Sequence, residues 1–264
     1  MCSEGDKYEK EQYMRSFDGG TTWEAVTPAQ YRMGSLIESG STDCASRLPS
    51  GYQEVEYIEN TASGTNISLS TILSLQYADQ RTDDASAYTY TIVYEPTNLS
   101  NNYNDLFGNQ WIELQVLGGG YKRNVGRLAG YTHDGNTNEL AVGRKVQVKI
   151  YWNSGESYPK MELTNITAST TTTTTLSYTR SGMANFYPRV GLFNFYAESD
   201  SGAIFARAKI YEVKVEDRQG NLLAHGIPCV RTSDSKCGFY NLVRNEFEYD
   251  ASGNLTLTAG PNVN

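Results

Sequence analysis

The segment Val146–Trp152 reads VQVKIYW. Side chains alternate along an extended chain, so Val146, Val148, Ile150 and Trp152 share one face and Gln147, Lys149 and Tyr151 the other. The same period of two runs through Tyr88–Tyr94 (YTYTIVY) and through Trp111–Leu117 (WIELQVL), where Ile112, Leu114 and Val116 share a face. Val55, Tyr57 and Ile58 open another strand, and Val190–Tyr196 (VGLFNFY) reads as a buried one. Beyond residue 47 no stretch sustains the i, i+3, i+4, i+7 spacing of an amphipathic helix. Short strands punctuated by turn signals every ~8–12 residues predict a sandwich or barrel. The 20 Tyr against 8 Phe and 3 Trp, with 24 Gly, agree with a strand-rich chain.

One irregularity is informative. Ile204, Ala206, Ala208 and Ile210 hold one face, after which Tyr211, Val213 and Val215 carry the apolar phase. A slip of one residue predicts a β-bulge near Ile210. Asp217–Asn221 (DRQGN) turns the chain and Leu222–Val230 returns it. Phe239–Thr258 reads as two short strands separated by Asp250–Asn254. The run Thr170–Thr175 reads as an edge strand or hairpin tip, because β-branched residues suit extended backbone; a disordered low-complexity tract is the other reading.

With 264 residues the chain has room for one large domain, or one domain and a small appendage. The boundary is placed at Leu48-Pro49-Ser50-Gly51, giving units 1–47 and 48–264. The first is polar and carries one hairpin signal: Tyr13–Phe17, a turn at Asp18-Gly19-Gly20, and Thr21–Val26. Its Ser16, Asp18, Gly20, Thr22 and Trp23 fit the Asp-box pattern S-x-D-x-G-x-T-W, a structural hairpin in which Asp bonds turn amides and Trp packs beneath.

The 22 basic and 30 acidic residues give a net charge of −8, which excludes a nucleic-acid partner that must be held by neutralised phosphates. No apolar run approaches the roughly 20 residues that cross a bilayer, so no membrane partner is expected. The first thirty residues hold no apolar h-region, and no secretory signal is expected. Cys2, Cys44, Cys229 and Cys237 match no zinc spacing and are too few for a disulfide scaffold. Cys2 and Cys44 bracket the first unit, and Cys229 and Cys237 flank a polar turn across which they could face each other; reduced thiols are the reading preferred for both pairs.

Leu48–Asn60 (LPSGYQEVEYIEN) resembles the opening of a concanavalin A-like (LamG-like) domain common in structural proteins of tailed phages of gut bacteria. Ala208–Val215 (AKIYEVKV) and His225–Tyr240 (HGIPCVRTSDSKCGFY) are similar to later segments of that domain. Tyr8–Cys44 resembles a small module that precedes it in phages of Bacteroidetes, including crAss-like phages. The resemblance implies an all-β chain, a concanavalin A-like jelly-roll β-sandwich preceded by a small β-hairpin module. It implies a virion surface protein, a head fibre or capsid decoration, assembled in the host cytoplasm and released by lysis. The implied partners are further copies of the chain as a dimer or trimer, other virion proteins such as capsid, and glycans of cells or mucus; the first unit would attach or oligomerise. No cofactor and no metal is implied.

Four chemistries are suggested by these residues. Glu54, Glu56 and Glu59 share the spacing of the E-x-D-x-x-E motif of laminarinase-type glycosidases, whose retaining mechanism needs two carboxyls about 5–5.5 Å apart. The middle residue is Glu, the motif opens the domain, and the phage-domain opening carries the same string; an exposed acidic first strand is the preferred reading, and no catalytic residue is assigned. Asp79, Asp83 and Asp84 could offer oxygen ligands to Ca²⁺, but their spacing is not that of an EF-hand and a solvated loop is preferred. Gly118-Gly119-Gly120 lacks the strand–helix context of a phosphate cradle. Glycan binding is the remaining candidate. Trp111, Glu113 and Gln115 lie opposite Ile112, Leu114 and Val116, with Tyr103 in the adjoining loop and Tyr151 outward on another strand. The competing reading packs Trp111 against a second subunit or a loop.

Overall fold

In the computed structural model the chain divides into two compact units, Met1–Arg47 and Leu48–Val263. The structure describes residues 47–62, 73–79, 84–100, 104–109, 111–119, 121–133, 140–179, 188–194 and 205–263, together with the backbone of four strands in the first unit.

In the first unit Met14–Arg15 pairs antiparallel with Glu24–Ala25, within the expected hairpin. Gly5–Gln12 also pairs antiparallel with Tyr31–Ser41, with three register shifts. That second pairing was not expected, because GDKYEKEQ carries no apolar alternation. The Asp18-Gly19-Gly20 turn, Trp23, Cys2 and Cys44 lie outside the described residues.

The second unit is a jelly-roll-like sandwich of two antiparallel sheets. One runs in the order Tyr178–Thr179, Tyr131–Thr132, Arg123–Leu128, Ile112–Leu117, Asp105–Gly108, Arg189–Leu192, Ser74–Gln76. The other runs Thr170–Thr175, Lys160–Asn165, Val146–Tyr151, Tyr88–Pro96, Ala208–Asp217, Leu222–Arg231, Lys236–Asn241, Glu246–Tyr249. Tyr52–Glu54, Ile58–Asn60 and Leu257–Ala259 add to the second sheet beside this path. Among the described residues the only helix is the 3₁₀ turn Ala85–Ala87.

The core lies where the inward faces meet. Val146, Val148 and Ile150 are at most 2% exposed, and Ile112, Leu114 and Val116 likewise. Gly126 faces the opposite sheet so closely that a Cβ there would sit 2.7 Å from Met161 Sδ, and one on Gly226 would sit 2.5 Å from Leu75 Cδ1. Truncating a large side chain in such a layer costs about 2–5 kcal/mol.

The bulge is present. Ile210 pairs with Tyr94 and Glu212 with Val93, so Tyr211 is the extra residue. Ala208 and Ile210 before it, and Val213 and Val215 after it, are all buried. The threonine run is a strand, paired with Lys160–Asn165. The Phe239–Thr258 region holds more than the two expected strands, since Lys236–Asn241, Glu246–Tyr249 and Leu257–Ala259 all form.

Cys229 stands opposite Gly238, and Cys237 opposite Val230. This one-residue offset sends the two sulfurs to opposite faces, and both are free thiols. Burial pushes the Cys229 thiol up to about 12. The expected exposed acidic strand is corrected at Glu54, which is 4% exposed. Glu54 pairs with Cys229 in one strand and Glu59 with Lys209 in another, so the EVEYIE string is broken between two strand partners.

On the outer face of the second sheet, His225 Nε2 lies 2.8 Å from Glu212 Oε1 and Lys214 Nζ donates to the same oxygen at 2.9 Å. The hydrogen bond to His225, with Lys214 adding, holds the Glu212 carboxyl down at about 2. A lowered folded-state value contributes stability above the ordinary range near 4.5, lost as pH falls toward about 2. Glu212→Gln is expected to flatten the acid limb of the stability curve over that window, measured by urea unfolding at stepped pH; equal acid sensitivity in both proteins would refute this coupling.

Candidate functional site

One row of residues crosses the outer face of the first sheet. Paired neighbours share a face, and the row runs Ser74, Gly191, Gly108, Glu113, Arg127, Thr132, Tyr178. It faces away from the core because Gly126, one residue before Arg127, points at Met161 and Ile150. Glu113 and Gln115 therefore do point away from Ile112, Leu114 and Val116, as expected.

This face is not open. Glu113, Arg127 and Asp105 are 6%, 7% and 8% exposed. Arg127 pairs with Glu113 through Nη1 and donates to Gln115 Oε1 at 2.7 Å through Nη2. The Gln115 amide donates to Asp105 Oδ1 at 2.9 Å. Each of these side chains is committed to a neighbour through at least one polar atom, although Arg127 Nε itself meets no acceptor.

Trp111 departs from the expectation. It precedes its strand, its amide donates to Asn109 Oδ1 at 2.8 Å, and its ring is 8% exposed within the core cluster. The turn held by Asn109 sets this direction, which period-two counting from Ile112 could not foresee. Tyr103 lies outside the described residues. Tyr151 is half-buried on the outer side of the other sheet, 5.3 Å beneath Lys149 Nζ, so the sandwich separates it from Glu113 and Gln115.

An open cleft of about 320 Å³ lies at the turn after Val146–Tyr151, lined by Asp84, Ser86, Trp152, Asn153, Ser154, Gly155 and Glu156. Gly155 has φ +83°, a conformation that favours glycine and closes the turn. The Trp152 indole N–H donates to the Glu156 carbonyl at 2.9 Å, and the Tyr131 ring meets the indole edge-on at 5.3 Å, with Tyr158 edge-on to Tyr131 at 5.7 Å. The indole is thereby fixed before any ligand arrives. Alternation places Trp152 on the core face, and its ring does pack partly against the core cluster; the strand itself ends at Tyr151, as the turn residues Asn153-Ser154-Gly155 signal.

Both cleft carboxylates are held ionised. The Ser86 hydroxyl donates to Asp84 Oδ1 at 2.8 Å and lowers its carboxyl, with Arg218 paired to the other oxygen adding to this. Lys160 Nζ donates to Glu156 Oε1 at 2.6 Å and lowers that carboxyl, with Asn153 assisting. Asp79 pairs with Arg244, away from Asp84, and Asp83 lies outside the described residues. Among the described residues no three His, Cys, Asp or Glu side chains group as a metal would need.

No family model and no curated protein matches the chain. Among solved structures, a proposed carbohydrate-binding protein of Bacteroides ovatus aligns at 10% identity and TM-score 0.46, over 80% of this chain; the chain spans 62% of its length. A heptameric SAP-like pentraxin of Limulus polyphemus aligns at 8% identity and TM-score 0.37, over 78% of this chain and 96% of that one. A scytalido-glutamic peptidase aligns at 12% identity and TM-score 0.28, over 64% and 84%.

Glu113 and Arg127 give a test of the closed face. Glu113→Ala strands a buried guanidinium and is expected to cost about 3–5 kcal/mol, whereas a combined Glu113→Leu, Arg127→Met change should cost far less. Denaturant unfolding of the three proteins checks this, and a mild single-variant effect would mean the face is wetter than described.

Proposed function

We propose that this chain is a non-enzymatic glycan-binding sandwich carried on the surface of a phage particle, with the Trp152 cleft as its sugar site. The observation that carries the reading is that cleft: a fixed indole beside an amide, two serine hydroxyls and two carboxylates, open to solvent. Sugars are held by an aromatic surface against the apolar side of the ring and by planar polar groups at its hydroxyls. Binding without hydrolysis is favoured by the carboxylates. A glycosidase acid must keep its proton near neutral pH, and Asp84 and Glu156 are both pushed the other way.

The virion setting rests on the sequence resemblance. In that setting the chain is a head fibre or capsid decoration, residues 1–47 attach to capsid or to sister chains, and the particle adheres to host or mucus glycans. A lectin-like tail or adhesion protein is the second reading, favoured by the same cleft; electron microscopy of particles lacking the protein separates head from tail.

Glycan-array screening of the full chain, followed by calorimetry on a hit, tests the site. Trp152→Ala is expected to weaken binding about tenfold or more, the loss of roughly 1.4 kcal/mol or more of ring contact. Asn153→Ala should weaken it further without lowering the melting temperature. Trp111→Ala should instead destabilise the fold. Binding that survives both cleft changes would remove this assignment.

A further inference from the structure

At about 320 Å³ the Trp152 cleft lies at the small end of the range for ligand sites, so only a short piece of a glycan fits inside it. Its margin carries further aromatic surface. Tyr158, 41% exposed, stands in the same loop as the cleft residues 153–156, between the strands that end at Tyr151 and begin at Lys160. Its ring meets Tyr131 edge-on at 5.7 Å, and Tyr131 meets the Trp152 indole at 5.3 Å. Tyr178, 55% exposed, follows Leu176, whose amide donates to the Pro159 carbonyl at 2.8 Å, and its strand pairs with Tyr131–Thr132. Scattered exposed apolar groups are ordinary, but two rings tied to one cleft form a surface with a common neighbour.

Tyr158 is positioned before any ligand arrives. A residue that precedes proline is confined to extended backbone, and Pro159 is itself buried. One ring edge is taken by Tyr131, and a tyrosine has only two side-chain torsions, so little freedom remains to be lost on binding. Exposed Ser157 and Ser177 precede Tyr158 and Tyr178, and neither 157–159 nor 176–179 holds a charged residue. Each tyrosine therefore repeats what the cleft offers, an aromatic surface beside a hydroxyl.

We propose that the Trp152 cleft is one station of a longer site that takes an uncharged oligosaccharide, running from the indole over Tyr158 toward Tyr178. This rests on the glycan reading of the cleft and names its ligand class: a chain of several sugars held along its length, not a single terminal sugar. The occupant follows from the surface. A pyranose offers an apolar ring face and a rim of hydroxyls, and tyrosine beside serine matches both. An acidic chain finds no cation within 157–159 or 176–179, and it meets a protein of net charge −8.

An array printed with neutral and acidic oligosaccharides of one to six sugars, followed by titration of the full chain with the selected series, tests it. Binding is expected to strengthen about tenfold or more from the disaccharide to the tetrasaccharide of a neutral series. Tyr158→Ala should abolish most of that gain and leave the disaccharide within about twofold of wild type, with an unchanged circular-dichroism spectrum. Affinity that does not rise with length, a rise that survives Tyr158→Ala, or a preference for acidic chains would overturn the longer site and leave the Trp152 cleft standing. Binding to none of the oligosaccharides would remove the cleft and the longer site together. If Tyr158→Ala fails to fold, Tyr178→Ala is read against the same ladder and by the same outcomes.

Discussion

The sandwich depends on one extra residue. Ala208–Asp217 pairs with Tyr88–Pro96 along one side and with Leu222–Arg231 and Ile58–Asn60 along the other. A regular strand of this sequence would bury Ala208 and Ile210 and then turn Val213 and Val215 to solvent. The bulge at Tyr211 resets the phase, and all four are buried. The displaced tyrosine remains useful on the outside: Lys145 Nζ lies 3.4 Å over its ring, Tyr57 packs against it edge-on at 5.4 Å, and its hydroxyl donates to Glu95 at 3.1 Å. Burial and the nearby Glu95 carboxylate keep that hydroxyl protonated well above its ordinary range.

What could be read from the sequence was what alternation encodes. Val146–Tyr151, Ile112–Leu117 and the phase slip at Ile210 each announce which side chains face inward, because a half-buried strand writes its two faces in successive letters. Three things were not written that way. Gly5–Gln12 has five charged residues in eight, so its pairing leaves no apolar alternation in the sequence. Glu54 and Glu113 are acidic yet buried, and for Glu113 it is Arg127 on the neighbouring strand that makes this tolerable. Trp111 and Trp152 both stand at strand ends, where a turn decides the direction of the ring. Counting by twos carried Trp111 to the wrong face, whereas Trp152 packs partly against the core as counted.

The two tryptophans differ in what surrounds them. The outer face of the smaller sheet is sealed around the Glu113–Arg127 pair, and a sealed polar layer can bind only by opening, at the cost of stranding buried charge. A rim turn has no such penalty. Trp152 is held by one backbone carbonyl and one aromatic edge, and its polar neighbours are already ionised or solvated. The site proposed for glycan therefore lies at the sheet margin and not on the sheet face.

The cleft turn is held by the sheet that ends at it. Tyr151 and Lys160 pair with each other, so the cleft residues Trp152–Glu156 lie in the loop those two strands close. Lys160, which bonds Glu156 in the cleft, pairs with Tyr151 on one side and with Thr175 on the other. The side chain that sets the charge of the cleft is therefore placed by two strand partners, and the loop between them carries the polar groups without interrupting the ladder.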